Sequence, residues 1–310
     1  MSKLAVFKHS VARLPAPVRG VLLMALAAAM FVCMHAIIRD LGKNADLHPF
    51  EIAFFRSFLG LFVLAPLLIR QRFRPLHTTN MKLLFLRGAV NSAAMLMFFY
   101  GLSITPLAQA TALGFTAPLF ATLLATLFLG EVVRVRRWIA ILIGFAGTLV
   151  IIQPGTAEVG LGPILILTAT VVWSVALIII KFLTRTESSV TITVYASIFL
   201  SPFTLAAASF FWRWPTLEEA GWLCLIAFLG TIAQTAMNQS LKLADASVVL
   251  PMDFSKMIWA AFLGFFIFGE LPGLYTWIGG AMIFVSTTYI TVRESRIKKK
   301  AKAVAEEPSG

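Results

Sequence analysis

Ten runs of roughly twenty apolar residues, separated by short polar stretches, restrict this chain to one kind of architecture. Backbone N–H and C=O groups in hydrocarbon must be satisfied within the segment, so runs of this length form bilayer-crossing helices. The runs cover 19–38, 49–69, 82–102, 105–128, 138–152, 161–181, 190–211, 218–241, 245–268 and 273–292. Composition agrees: 59% of the 310 residues are hydrophobic, 13% are charged and mean hydropathy is +0.88, which leaves no room for a separate soluble domain. The expected fold class is an all-α polytopic membrane protein of ten transmembrane helices, with short connections that make consecutive helices antiparallel neighbours. The first run follows a basic leader (Lys3, Lys8, Arg13, Arg19), as in a secretory signal, but its length and the spans after it favour a retained helix.

The net charge of +12 does not point to nucleic acid, because lysines and arginines sit mostly at the ends of apolar runs. With the N-terminus inside, cytoplasmic segments carry twenty basic residues and outer loops three, namely Arg39, Lys43 and Arg213. That asymmetry predicts a multi-pass protein of the cytoplasmic (inner) membrane with both termini cytoplasmic. Residues 293–310, lysine-rich and ending Pro-Ser-Gly, read as a disordered basic tail near anionic lipid.

Cys33 and Cys224 both lie inside apolar runs, so neither a disulfide nor a metal site is expected. The chain contains no phosphate-binding glycine loop followed by Lys-Ser/Thr, no His-Glu-x-x-His and no Gly-x-Ser-x-Gly. These absences argue against an ATP-driven pump, a membrane metalloprotease or another enzyme, and no cofactor is expected.

The chain also repeats itself. Gly20–Leu41 lies over Gly162–Leu183 at a shift of 142, matching Phe31 to Trp173 and Arg39 to Lys181. Further on, at a shift of 139, Gly130-Glu131 and Trp138 match Gly269-Glu270 and Trp277. Each half then holds five spans, an odd number, so the second enters the membrane from the opposite side. Loop charge agrees, with three arginines after Glu131 and none after Glu270. The expected organisation is a first five-helix repeat over 1–155 with a basic leader, an inverted repeat over 156–292, and the tail.

Asp253 and Lys256 lie within one apolar run, three residues apart on one helical face and just after Pro251. One charge at a helix centre costs roughly 2.5–3.5 kcal/mol on insertion scales, so the pair needs a reason. The first repeat has Gly114 and Ala117 at the matching positions, which favours a substrate or coupling role over a structural ion pair. Arg56 reads equally as a cationic anchor facing a cavity or as a structural pair or helix cap. Arg87 is expected to snorkel to the inner interface, with Asn91 deeper on the same face. Tyr100, Gln109, Trp173, Gln234 and Asn238 are further binding candidates, each open to the simpler reading of an interhelical hydrogen bond. Gln234 and Asn238, four apart, share a face. Gly144, Gly147, Gly279, Gly280 and Ala281 in the fifth and tenth spans suggest close helix packing, including a homodimer contact between subunits.

The stretches LHPFEIAFFRSFLGLFVLAP, LRGAVNSAAMLMFFYGLSITPLAQATALGFTAPLFATLLATLFLGE and PMDFSKMIWAAFLGFFIFGE resemble the ten-helix EamA branch of the drug/metabolite transporter superfamily. The resemblance covers nearly the whole chain. It implies a central cavity between the first four and the sixth to ninth helices, with the fifth and tenth peripheral. It also implies a small-molecule substrate: a secondary transporter of an amino-acid-like, nucleoside-like or vitamin-like metabolite working by alternating access. A lipid-linked flippase and a membrane-embedded enzyme or sensor stand as alternatives.

Overall fold

In the computed structural model, residues 15–45, 47–129, 135–154, 160–183, 186–244 and 246–306 are described. Gly130, Glu131 and the side chains of Lys181 and Asn238 lie outside them. The described residues form twelve α-helices. These are α1 (Ala16–Asn44), α2 (Pro49–Arg70), α3 (Met81–Ser103), α4 (Leu107–Gly114), α5 (Ala117–Leu129) and α6 (Val135–Ile152), then α7 (Leu161–Leu183), α8 (Ser189–Ala208), α9 (Leu217–Leu243), α10 (Ala246–Asp253), α11 (Ser255–Phe268) and α12 (Leu274–Glu306). Seven segments are long and apolar enough to cross a bilayer by length and composition, against the ten expected. The protein is a multi-pass membrane protein.

Helix starts follow local chemistry. Pro49 opens α2, where a missing N–H costs nothing, while His48 Nδ1 accepts the Phe50 N–H at 3.2 Å and Glu51 accepts the His48 N–H at 2.9 Å. Burial pushes the His48 imidazole below its usual pKa, with Glu51 pulling the other way. Thr216 and Glu219 form the same reciprocal cap at α9, at 2.7 and 3.3 Å.

Two of the expected spans are broken. The run 105–128 is α4 and α5, turned at Phe115 and Thr116, and the run 245–268 is α10 and α11, turned at Phe254. At the first break Pro118 has no N–H to give the Gly114 carbonyl. The backbone tightens instead, with Phe115 N–H bonding Ala112 O at 3.2 Å and Thr116 N–H bonding Leu113 O at 3.0 Å. At the second, three residues beyond Pro251, Met257 N–H bonds Phe254 O at 3.0 Å.

The most extensive helix pairings are α1 with α9, α3 with α7 and α6 with α12, followed by α2 with α8. One continuous core, including Met34, Ile38, Leu102, Leu113 and Ile166, runs between them. Polar ties span the bundle as well. Arg87, 8% exposed, donates to the Ile192 carbonyl at 2.9 Å, so it joins α3 to α8 rather than snorkelling outward. Thr78 and Asn80 donate to Glu187 Oε1 at 2.6 and 2.9 Å, binding the segment before α3 to the segment before α8. Burial raises the Glu187 carboxyl, but its hydrogen bonds from Thr78, Asn80 and the Thr79 and Asn80 backbone outweigh that and hold it below its usual range.

Within the α6–α12 contact, a Cβ built on Gly147 would lie 2.7 Å from the Gly279 carbonyl oxygen, and one on Gly279 would overlap that of Gly147. Gly147 and Gly279 thus pack on each other inside one chain, whereas Gly280 meets Met257 and Gly144 meets Leu119 and Ser286. At the C-terminal side α12 continues to Glu306. Alanine, lysine, arginine and glutamate are strong helix formers, and a helix already nucleated in the membrane needs only propagation.

Candidate functional site

The two breaks meet. Phe115 and Phe254, the turning residues of α4–α5 and α10–α11, stack with ring centroids 4.2 Å apart. Broken helices leave unpaired backbone groups and half-helix ends inside the bilayer, which is tolerated only where protein or a cavity meets them.

Asp253 and Lys256 straddle the second break, with Lys256 Nζ 2.6 Å from Asp253 Oδ1 and side-chain exposures of 19% and 17%. Lys256 Nζ also stands 4.9 Å from the Phe31 ring centre. Phe31 and His35, one turn apart on α1, stack at 6.4 Å, and His35 continues to Phe98 of α3 at 5.3 Å. Ser255 Oγ is buried without a hydrogen-bond partner, whereas its counterpart Thr116 bonds Thr170 Oγ1 at 3.0 Å. The repeat alignment explains the difference: the position matching Thr170 in the first half is Ala28.

Arg56 enters from α2. Its Nη1 donates to Met95 Sδ at 3.4 Å and its Cζ stands 6.0 Å from the Phe99 ring. A Cβ on Gly230 of α9 would lie 3.2 Å from Arg56 Nε, so the absence of a side chain there makes room for the guanidinium. Asn91 sits one turn from Met95, 8% exposed, and makes no hydrogen bond among the described residues.

Of the candidates named from sequence, Arg56, Asp253 and Lys256 thus join one aromatic-walled region of α1, α2, α3, α9, α10 and α11, with Asn91 adjoining on α3. Tyr100 does not: its ring packs 5.7 Å from His48 and 6.1 Å from Phe50 in an outer aromatic cluster. Gln109 lies half-buried on α4 and Trp173 half-buried on α7, and neither makes a hydrogen bond or ring contact among the described residues. Gln234 lies on α9 one turn beyond Gly230, also half-buried. Asn238's side chain is outside the described residues. Phe31, His35, Phe98, Met95 and Gly230 complete the region. Of these, only His35 is marked in the sequence, as a polar residue within an apolar run.

At the C-terminal ends of α1 and α11, Arg39 and Glu270 form a bidentate ion pair, with Nη1 to Oε2 at 2.6 Å and Nη2 to Oε1 completing the fork. Phe268 lies 4.3 Å below the guanidinium, and Arg39 is 3% exposed. Gly269, at φ +67°, makes the left-handed turn that swings Glu270 back over the helix end. Removing Arg39 leaves Glu270 unpaired and only partly solvated, so Arg39→Ala is expected to destabilise the protein by about 2 kcal/mol. The reversed pair, Arg39→Glu with Glu270→Arg, should recover most of the loss. Thermal unfolding in detergent of both single variants and the reversal checks this.

A bundle with paired broken helices meeting at a charged, aromatic-walled centre defines a membrane transporter. The EamA-like transporter family model matches this chain twice, over residues 18–153 and 160–292, and the chain belongs to that family. Similar proteins include the S-adenosylmethionine uptake transporter of Rickettsia bellii, 29% identical over 82% of this chain and 87% of that one. The riboflavin transporter of Vibrio cholerae is 29% identical over 93% and 98%, and the pseudopaline exporter CntI of Pseudomonas aeruginosa 29% over 90% and 97%. A solved crystal structure of a protein 16% identical superposes with a TM-score of 0.63 over 95% of this chain and 99% of that one, which shows the shared fold. The chain is thus a transporter and not an enzyme.

Proposed function

We propose that this protein moves a small organic metabolite, amino-acid-like, nucleoside-like or vitamin-like, across the cytoplasmic membrane by alternating access between two inverted five-helix halves. The observation that carries the reading is the stacking of Phe115 on Phe254, because it brings one broken helix from each half to a single charged centre. The relatives' cargoes, S-adenosylmethionine, riboflavin and pseudopaline, all fall within that range, and their names include both uptake and export.

The helix packing supports the two halves. Exchanging them turns the α1–α9 contact into α7–α3 and the α3–α8 contact into α9–α2, all of which occur, while α2–α8 and α6–α12 map onto themselves. The two family matches divide the chain at nearly the same place as the proposed boundary of 155 and 156. Inversion is supported by the odd number of spans per half and by the arginines after Glu131 that have no counterpart after Glu270.

Alternating access requires that the two faces close in turn. On the outer side Arg39 grips Glu270. The matched residues of the other half are Lys181 and Glu131, again a cation and a carboxylate.

The test is a metabolite uptake and export screen in cells with and without the protein. At least one small metabolite should change its distribution across the membrane when the protein is present. If none does while the protein is folded and inserted, the transport reading fails. For orientation, reporters active only in the periplasm should stay silent when fused to either terminus. An active C-terminal fusion would break the inverted halves.

A further inference from the structure

Resting on the transport reading above, we propose that the cargo is an anion bearing a flat ring, whose carboxylate or phosphate pairs with Arg56 while the ring lies along Phe31, His35 and Phe98.

Charge accounting carries this. Among the described residues Arg39 has Glu270, Arg87 has the Ile192 carbonyl and Lys256 has Asp253 as oxygen partners. Arg56 is the exception. Among the described residues its contacts are a thioether sulfur and the face of Phe99, with no carboxylate within ion-pairing distance. A guanidinium is always charged and presents a planar fork suited to carboxylate or phosphate. Left without a counter-ion in a low-dielectric site it is costly, and an anionic ligand removes that cost. Arg56, Lys256 and Asp253 together carry one net positive charge, so the complement is one net negative charge.

The surroundings suit a flat body. The ladder from Phe31 through His35 to Phe98 offers ring faces and few hydrogen-bonding groups, and aromatic contacts favour a planar apolar partner. His35 makes no hydrogen bond among the described residues, so its ring nitrogens are available to a polar edge of the cargo. Gly230 sets the position of the arginine: a Cβ there would meet Met34 Sδ at 2.7 Å as well as Arg56 Nε at 3.2 Å. It is a positioning residue, acting through Arg56.

The test compares the full-length wild type with Arg56→Gln, Arg56→Lys and Gly230→Ala. The screen first identifies every metabolite the wild type moves. Each is then assayed in proteoliposomes beside an analogue whose anionic group is neutralised, the amide for a carboxylate or the dephosphorylated form for a phosphate. We expect a cargo that is anionic at neutral pH and carries an aromatic ring. Arg56→Gln and neutralisation of the cargo should each cut transport at least about tenfold, and together little more than either alone. Arg56→Lys should keep charge selectivity while losing affinity, which preserves the test if Arg56→Gln does not fold. Gly230→Ala should weaken the anionic cargo more than its neutral analogue. Whether amide or dephosphorylated analogues fail tells carboxylate from phosphate. A neutral or cationic cargo, or full transport by folded Arg56→Gln, overturns the proposal and leaves the transport reading standing. If the wild type moves nothing, both fall.

Discussion

The double variant Asp253→Asn with Lys256→Gln is expected to insert and fold while transport per folded molecule drops at least about tenfold. The two charges sit 2.6 Å apart across the break between α10 and α11, and both side chains keep some exposure. Removing one partner alone leaves a poorly solvated charge, so each single variant should lose stability, though less than the about 3–5 kcal/mol of a fully buried pair. Removing both leaves two neutral groups able to hydrogen bond to each other, and the fold should tolerate that. The first half shows that such tolerance is built in, since it makes the matching turn with Gly114 and Ala117. Transport should not tolerate it. Lys256 faces the Phe31 ring, Ser255 Oγ lies next to the pair without a partner, and an anionic or polar cargo entering there would compete for both. The measurement is initial transport rate divided by folded protein for the two singles and the double. Wild-type rates in a folded double variant would reduce the pair to a structural ion pair.

Gly279→Val should remove most of the folded protein. A Cβ at that position overlaps the Gly147 carbonyl oxygen and falls 2.6 Å from Ile151 Cγ1, and the first of these is backbone that no rotamer change can move. Helices α6 and α12 would have to separate along their whole contact, at a cost of about 3 kcal/mol or more. The loss cannot be recovered by solvent-driven collapse, because lipid is as apolar as the helix faces, and close van der Waals packing between small residues supplies the association. Gly221 provides the control: nothing lies within 4 Å of a Cβ built there, so Gly221→Ala should be close to neutral. Yield and melting temperature in detergent would separate the two, and a Gly279→Val protein as stable as wild type would show that the helices can move apart freely.

Several features are legible in the sequence because they depend on composition and period alone. Apolar runs of bilayer length declare a helical membrane protein, and the spacing of Gly-Glu and tryptophan at a shift of 139 pairs the two halves, in agreement with two copies of one family model. Asp253 and Lys256 stand out because ionisable groups in such runs are rare and costly. Arg56 is visible too, but not its surroundings: whether a buried arginine is paired depends on residues such as Met95, Phe99 and Gly230, distant in sequence. Tyr100 is drawn toward the outer cluster by ring contacts that composition does not encode.

Local sequence therefore determined that the chain is a helical membrane protein, that it carries two copies of one repeat and where charge lies within the apolar runs, since hydropathy, helical period and burial cost act residue by residue. Only the tertiary structure decided that Arg39 meets Glu270, that the two broken helices touch through Phe115 and Phe254, and that Arg56 is left without an anion. Those outcomes depend on which helix faces are brought together, and in a chain apolar on every side the hydropathy pattern does not say which face turns inward.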